Sequence, residues 1–125
     1  MLFRSTNVNS ALSTLDNKKN IHLILGGIAK EDGFSRFKEF GKNIDQIYIY
    51  GKSRFKIKNQ INLPKISIIR KNLREIINTL WNDISDKNHK LTIVFAPACA
   101  SFDQFENYEK RGAYFNQLIL NKLKK

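Results

Sequence analysis

The chain has 125 residues, 42% of them hydrophobic, and a net charge of +11 from 22 basic and 11 acidic side chains. That is the length of one domain, with enough apolar content for a core. One cysteine and two histidines exclude an internal disulfide and a Cys/His zinc site. There is also no apolar run of membrane-spanning length and no signal-peptide core, so a soluble, cytoplasmic protein without a membrane partner is expected.

In chain order, Ser5-Thr6-Asn7 supply N-cap residues ahead of Val8, Ala11, Leu12 and Leu15, which have helical spacing. Asp16 to Asn20 form a polar turn. Ile21 to Leu25, apolar except for His22, predict a strand ending at Gly26-Gly27. A second helix is expected over Phe34 to Phe40, ended by Gly41. Gln46 to Tyr50 read as the next strand, closed by Gly51, and Lys65 to Ile69 as a short one, because Pro64 bars a helix through it. Leu73, Ile76, Ile77, Leu80, Trp81 and Ile84 make the clearest amphipathic helix. Leu91 to Phe95 is the last strand, followed by a helix over about Asp103 to Leu123.

Strands alternating with helices imply right-handed crossovers. The expected fold is a three-layer, Rossmann-like α/β domain with a mainly parallel sheet flanked by helices. No repeat, low-complexity tract or linker divides it. Such sheets bind ligands outside the carboxyl ends of their strands. Here those ends are Gly26-Gly27, Gly51 and Pro97 to Ser101.

The charge raises the question of nucleic acid. Lys52 to Arg74 holds eight basic residues and no acidic one. Yet the stretch has no nucleic-acid motif and only Phe55 for stacking, so a solvated basic surface is the preferred reading. Gly51-Lys52-Ser53 resembles the end of a phosphate loop, but the full pattern needs glycine where Gln46 stands. His22 and His89 have no Ser or Cys partner nearby in sequence, and Cys99 reads as a small packed residue. Asp103 and Glu106 are acids at a helix start, where the dipole alone favours them. On spacing alone Gly26-Gly27-Ile28-Ala29-Lys30 is a tight turn.

The stretch after the last strand is the most informative. Small residues Pro97, Cys99 and Ser101 stand at a strand-to-helix turn. Phe105, Tyr108, Gly112, Phe115 and Ile119 then follow at helical spacing. Ser101, Asp103 and Asn107 lie near the helix start, where free N–H groups favour an anion. The run Ala96-Pro97-Ala98-Cys99-Ala100-Ser101-Phe102-Asp103-Gln104-Phe105, then Asn107-Tyr108-Glu109 and Arg111-Gly112, resembles the signature of the last domain of the Mur ligases. Within that family it is most similar to the branch that uses ATP to join D-glutamate to a peptidoglycan precursor.

The resemblance spans about Ser5 to Leu120. It implies a D-glutamate site made of Thr6, Lys30, Ser101 and the Phe102 backbone, with Tyr108 where the family usually has Phe. Lys30 matches the lysine of the family's Gly-Gly-x-x-Lys turn, which holds the D-glutamate carboxylate. Near the start, Thr6 and Asn7 match the hinge motif. Arg4 stands where a lysine that helps hold the nucleotide is usual, and Leu2 where an aspartate is usual.

The resemblance also implies two partner domains not encoded in these residues, a UDP-binding N-terminal domain and a central ATPase domain that uses ATP and Mg2+. The chain itself is expected to need no cofactor and to be inactive alone, as a truncated or split amino-acid-binding domain. A free-standing amino-acid or anion-binding module and a basic nucleic-acid-binding domain remain as alternatives. The geometric expectation is that Lys30, Ser101 and Thr6 follow strand ends on one rim, with the Lys30 and Ser101 Cα atoms within about 15 Å.

Overall fold

A computed structural model describes residues 2–4, 8–16, 18–26, 34–84, 92–95 and 117. Five strands run through it: β1 (Leu2–Arg4), β2 (Ile21–Gly26), β3 (Ile44–Tyr50), β4 (Ser67–Ile69) and β5 (Thr92–Phe95). They form one sheet in the order β1-β5-β2-β3-β4, and every pairing is parallel. Among the described residues three α-helices accompany it: α1 (Val8–Leu15), α2 (Arg54–Ile61) and α3 (Leu73–Ile84).

The strands sort their side chains by parity, as a pleated sheet requires. Leu23, Leu25, Ile47, Ile49 and Val94 meet Ala11, Leu12 and Leu15 of α1, Phe34 and Phe37, and Ile57 and Ile61 of α2. On the other face Ile24, Tyr48, Tyr50 and Phe95 meet Leu73, Ile76, Ile77 and Leu80 of α3. The result is the expected three-layer α/β arrangement. The division follows from handedness. The crossovers β1–β2, β2–β3 and β3–β4 advance in one direction and share one face. The β4–β5 crossover returns in the opposite direction, so a right-handed connection places α3 on the opposite face.

Several elements depart from the sequence reading. Phe34–Phe40 is a 3₁₀ helix rather than an α-helix. Phe34 and Phe37, both fully buried, lie three residues apart, and a helix of three residues per turn puts them on one side. Their rings pack with centroids 6.3 Å apart. The third strand begins at Ile44, two residues earlier than expected, because Ile44 joins the core. Pro64–Ile66 form a short 3₁₀ turn, which leaves only Ser67–Ile69 as strand. β1 and α2 were not anticipated. The predicted helix over Asp103 to Leu123 lies outside the described residues.

Candidate functional site: the carboxyl rim of the sheet

The carboxyl ends of the strands are Arg4, Phe95, Gly26, Tyr50 and Ile69, taken across the sheet. Pairing fixes how level they are. Arg4 lies opposite Phe95, Phe95 opposite Ile24, Gly26 opposite Tyr50, and Ile49 opposite Ile69. The three strands that lead to the predicted ligand residues are therefore adjacent, with β5 between β1 and β2. Neighbouring strands lie about 4.8 Å apart, so β1 and β2 run about 10 Å from each other across β5. Thr6 is two residues beyond β1, Lys30 four beyond β2, and Ser101 and Phe102 six and seven beyond β5. Thr6, Lys30, Ser101, Phe102 and Tyr108 themselves lie outside the described residues, as do Cys99, Asp103 and Glu106. Arg4 ends β1.

Gly26 has a packing role that the sequence did not reveal. A Cβ built there would stand 2.2–2.5 Å from ring atoms of Tyr50. The glycine thus makes room for a buried tyrosine on the neighbouring strand at the rim itself.

The turn after β3 is built on Gly51 and tied to its neighbours by two hydrogen bonds. Gly51 adopts φ 90°, a left-handed conformation natural to glycine. Its N–H donates to the Lys71 carbonyl at 3.3 Å, tying the turn after β3 to that after β4. Its carbonyl accepts from Arg54 Nη1 at 2.9 Å. Among the described residues no group of three or more His, Cys, Asp and Glu is placed to hold a metal ion, and no helix is long and apolar enough to cross a membrane.

Sequence reasoning missed a polar chain on the α3 face of the sheet. His22 on β2 is 1% exposed and Tyr48 on β3 is fully buried. Tyr48 Oη donates to Asp83 Oδ2 at 2.9 Å. The hydroxyl has only that one proton, so His22 Nδ1, 3.0 Å from the same oxygen, is the donor in the second bond. Burial, then the Asp83 carboxylate, pushes the Tyr48 hydroxyl well above its ordinary pKa. The rings stack at 5.9 Å. His22 is thus a bonded core histidine that joins sheet to α3. The two links span 26 and 35 residues of sequence, and no local pattern reveals them.

The basic stretch Lys52 to Arg74 folds as α2, the short 3₁₀ turn, β4 and the start of α3. Lys52, Lys56, Lys65, Lys71 and Arg74 are exposed, and Arg54, Lys58 and Arg70 are half-buried.

No protein-family model matches the chain. Individual relatives do. A UDP-N-acetylmuramoylalanine--D-glutamate ligase from Hydrogenobaculum sp. (strain Y04AAS1) is 38% identical over 118 residues, 93% of this chain and 28% of the ligase. The chain is homologous to one segment of this ligase. The ligase of the same name from Rickettsia prowazekii is 34% identical over 116 residues, 92% of this chain and 26% of its own length. That from Francisella philomiragia is 35% identical over 120 residues, with 93% and 28% coverage. The chain therefore spans about a quarter of these relatives and corresponds to a domain of the ligase.

Proposed function

We propose that this chain is the D-glutamate-binding, C-terminal domain of a UDP-N-acetylmuramoylalanine--D-glutamate ligase, acting in peptidoglycan precursor synthesis in the cytoplasm. The observation that carries this reading is homology over 92–93% of the chain to a quarter-length segment of ligases so named. The adjacency of β1, β5 and β2 supports it, because Thr6, Ser101 and Lys30 each follow one of these strand ends. A dicarboxylate needs a cation at one end and hydroxyl or N–H donors at the other. In this reading Lys30 supplies the cation, and Thr6, Ser101 and the Phe102 N–H supply donors. Tyr108 bounds the site. Arg4, at the end of β1, stands nearest the nucleotide.

ATP and Mg2+ belong to the part of the ligase that this segment does not cover, and there they activate the acyl group. The residues of this chain bind and orient the incoming amino acid. Half a site gives up much of its orienting and desolvating power, so the domain alone is inactive and binds D-glutamate weakly.

The test is a chimera in which this chain replaces the homologous segment of the Hydrogenobaculum ligase. D-Glutamate-dependent ADP release is expected. Lys30→Ala in the chimera should lower kcat/KM for D-glutamate at least about 100-fold, as loss of a charge-assisted contact does. A folded chimera that keeps its activity with Lys30→Ala, or prefers another amino acid, would overturn the assignment. Micromolar binding of D-glutamate by the isolated chain would favour a free-standing module.

A further inference from the structure

The opposite, amino edge of the sheet carries a concavity. The chain reaches β3 through Gly41–Asn43 and β4 through Asn62–Ile66, and an open cleft of about 590 Å³ lies between these two entries. That volume is in the range of small-molecule sites. β3 has seven residues, so the cleft is about 20 Å from the carboxyl rim and separate from the candidate D-glutamate site.

Its walls are Leu63, Pro64 and Ile66, and its polar lining is mostly cationic, with Lys38, Lys42 and Lys65 against the single acid Glu39. All three lysines are exposed. The cleft is held open by the fold. Leu63 and Ile66 pack on the core. The Leu63 carbonyl accepts from Ser67 Oγ at 2.7 Å, and the Ile66 carbonyl accepts from Gln46 Nε2 at 2.7 Å. Asn62 turns the chain in a left-handed conformation, φ 54°, so that this wall leaves the end of α2 sharply. A Cβ at Gly41 would stand 3.3 Å from the Lys38 carbonyl oxygen and in ordinary contact, 3.7–3.8 Å, with the Leu63 methyl groups.

We propose that this cleft binds a small amphiphilic carboxylate, its apolar body against Leu63, Pro64 and Ile66 and its carboxylate among Lys38, Lys42 and Lys65. Apolar walls favour burial of a hydrocarbon body. An excess of two positive charges selects an anion over a neutral or cationic ligand of the same shape.

The experiment is an NMR titration of the chain with octanoate, and with octylammonium and acetate as controls. Octanoate should shift the amides of residues 38–42 and 62–66 saturably, with Kd at least about tenfold lower than either control. The triple variant Lys38→Glu, Lys42→Glu, Lys65→Glu changes exposed side chains only. It should keep the strand amides in place and lose octanoate binding at least tenfold. Gly41→Ala, which adds a methyl group to the lining, should weaken binding by a smaller factor. Equal binding of octylammonium, shifts centred elsewhere, or no saturable shift would overturn the proposal. So would concentration-dependent shifts of the same amides without ligand, which would assign the cleft to a second copy, or tighter binding of an acidic apolar peptide, which would assign it to a protein partner.

Discussion

Helices α2 and α3 flank the same sheet on opposite faces, with contrasting surfaces. α3 presents Leu73, Ile76, Ile77 and Leu80 to the sheet, each no more than 1% exposed. α2 has only Ile57 and Ile61 at full burial, and the rest of its sequence is Arg54, Phe55, Lys56, Lys58, Asn59 and Gln60. A wide apolar stripe lets α3 be recognised and held by its own face. With a single pair at i and i+4, α2 depends on its surroundings. Gly51 turns the chain into it, and Asn62, left-handed at its end, donates its N–H to the Lys58 carbonyl at 3.0 Å. One helix is thus committed to the core, and the other leaves most of its surface to solvent and charge.

The sharpest way to test this contrast is to cut the same number of methyls from each helix. Leu80→Ala in α3 should cost about 2–5 kcal/mol, because its pocket is lined by neighbours that are themselves buried and collapse poorly. Ile57→Ala in α2 should fall at the low end of that range, since the helix is short and can shift toward the gap. Urea unfolding checks both, and equal midpoints for the two variants would erase the distinction.

The same contrast explains what was legible. α1, β2, α3 and the body of β3 and β5 announce themselves by period. α2 does not, because two isoleucines among lysines look like a solvated stretch. β1 is three residues long, too short for alternation to register, and was seen only as part of a motif. The 3₁₀ helix at Phe34–Phe40 was recognised as helical, but spacing of three and of four both suit an α-helix in sequence. Parallel pairing followed from alternation, yet the insertion of β5 between β1 and β2 did not, since strand order is decided by long-range packing. The candidate ligand residues were legible as motif and resemblance. The adjacency of the strands that carry them came from the fold.

α3 has a further tie to the sheet, and removing it should have the next largest effect. Tyr48→Phe leaves Asp83 and His22 Nδ1–H without the hydroxyl they share. A loss of about 1–3 kcal/mol is expected at neutral pH. The pH dependence has a definite sign. Burial, then Asp83, raises the folded-state pKa of Tyr48 above its ordinary 10.0, so above about pH 10 the unfolded chain releases a proton that the folded chain keeps. The stabilisation is complete below pH 10 and should decline above it by about 1.4 kcal/mol per pH unit. Lysines titrate in that range too, so the measurement is the difference between wild type and Tyr48→Phe, which should shrink as pH rises from 9 to 11. A difference independent of pH would show that the hydroxyl ionises as easily folded as unfolded.

The smallest effect is expected on the outer face of α2. Phe55 is 60% exposed, and the Arg54 guanidinium lies 4.9 Å from its ring centroid. A partly exposed ring forfeits little by truncation, and an exposed cation–π contact contributes about 0.5–1 kcal/mol at most. Alanine is also the better helix former, by a few tenths of a kcal/mol. These terms oppose each other, so Phe55→Ala should leave stability within about 0.5 kcal/mol of wild type. The same variant tests the surface against the alternative of nucleic-acid binding. Phe55 is the ring that a single-stranded base would stack on, with Lys52, Arg54 and Lys56 beside it. If this face is solvated surface, fluorescence anisotropy with a labelled single-stranded oligonucleotide should show only weak, salt-sensitive binding that Phe55→Ala leaves unchanged. A loss of about 1–3 kcal/mol in oligonucleotide affinity with stability intact would instead mark α2 as a binding helix, and its sparse apolar face would then reflect use rather than solvation.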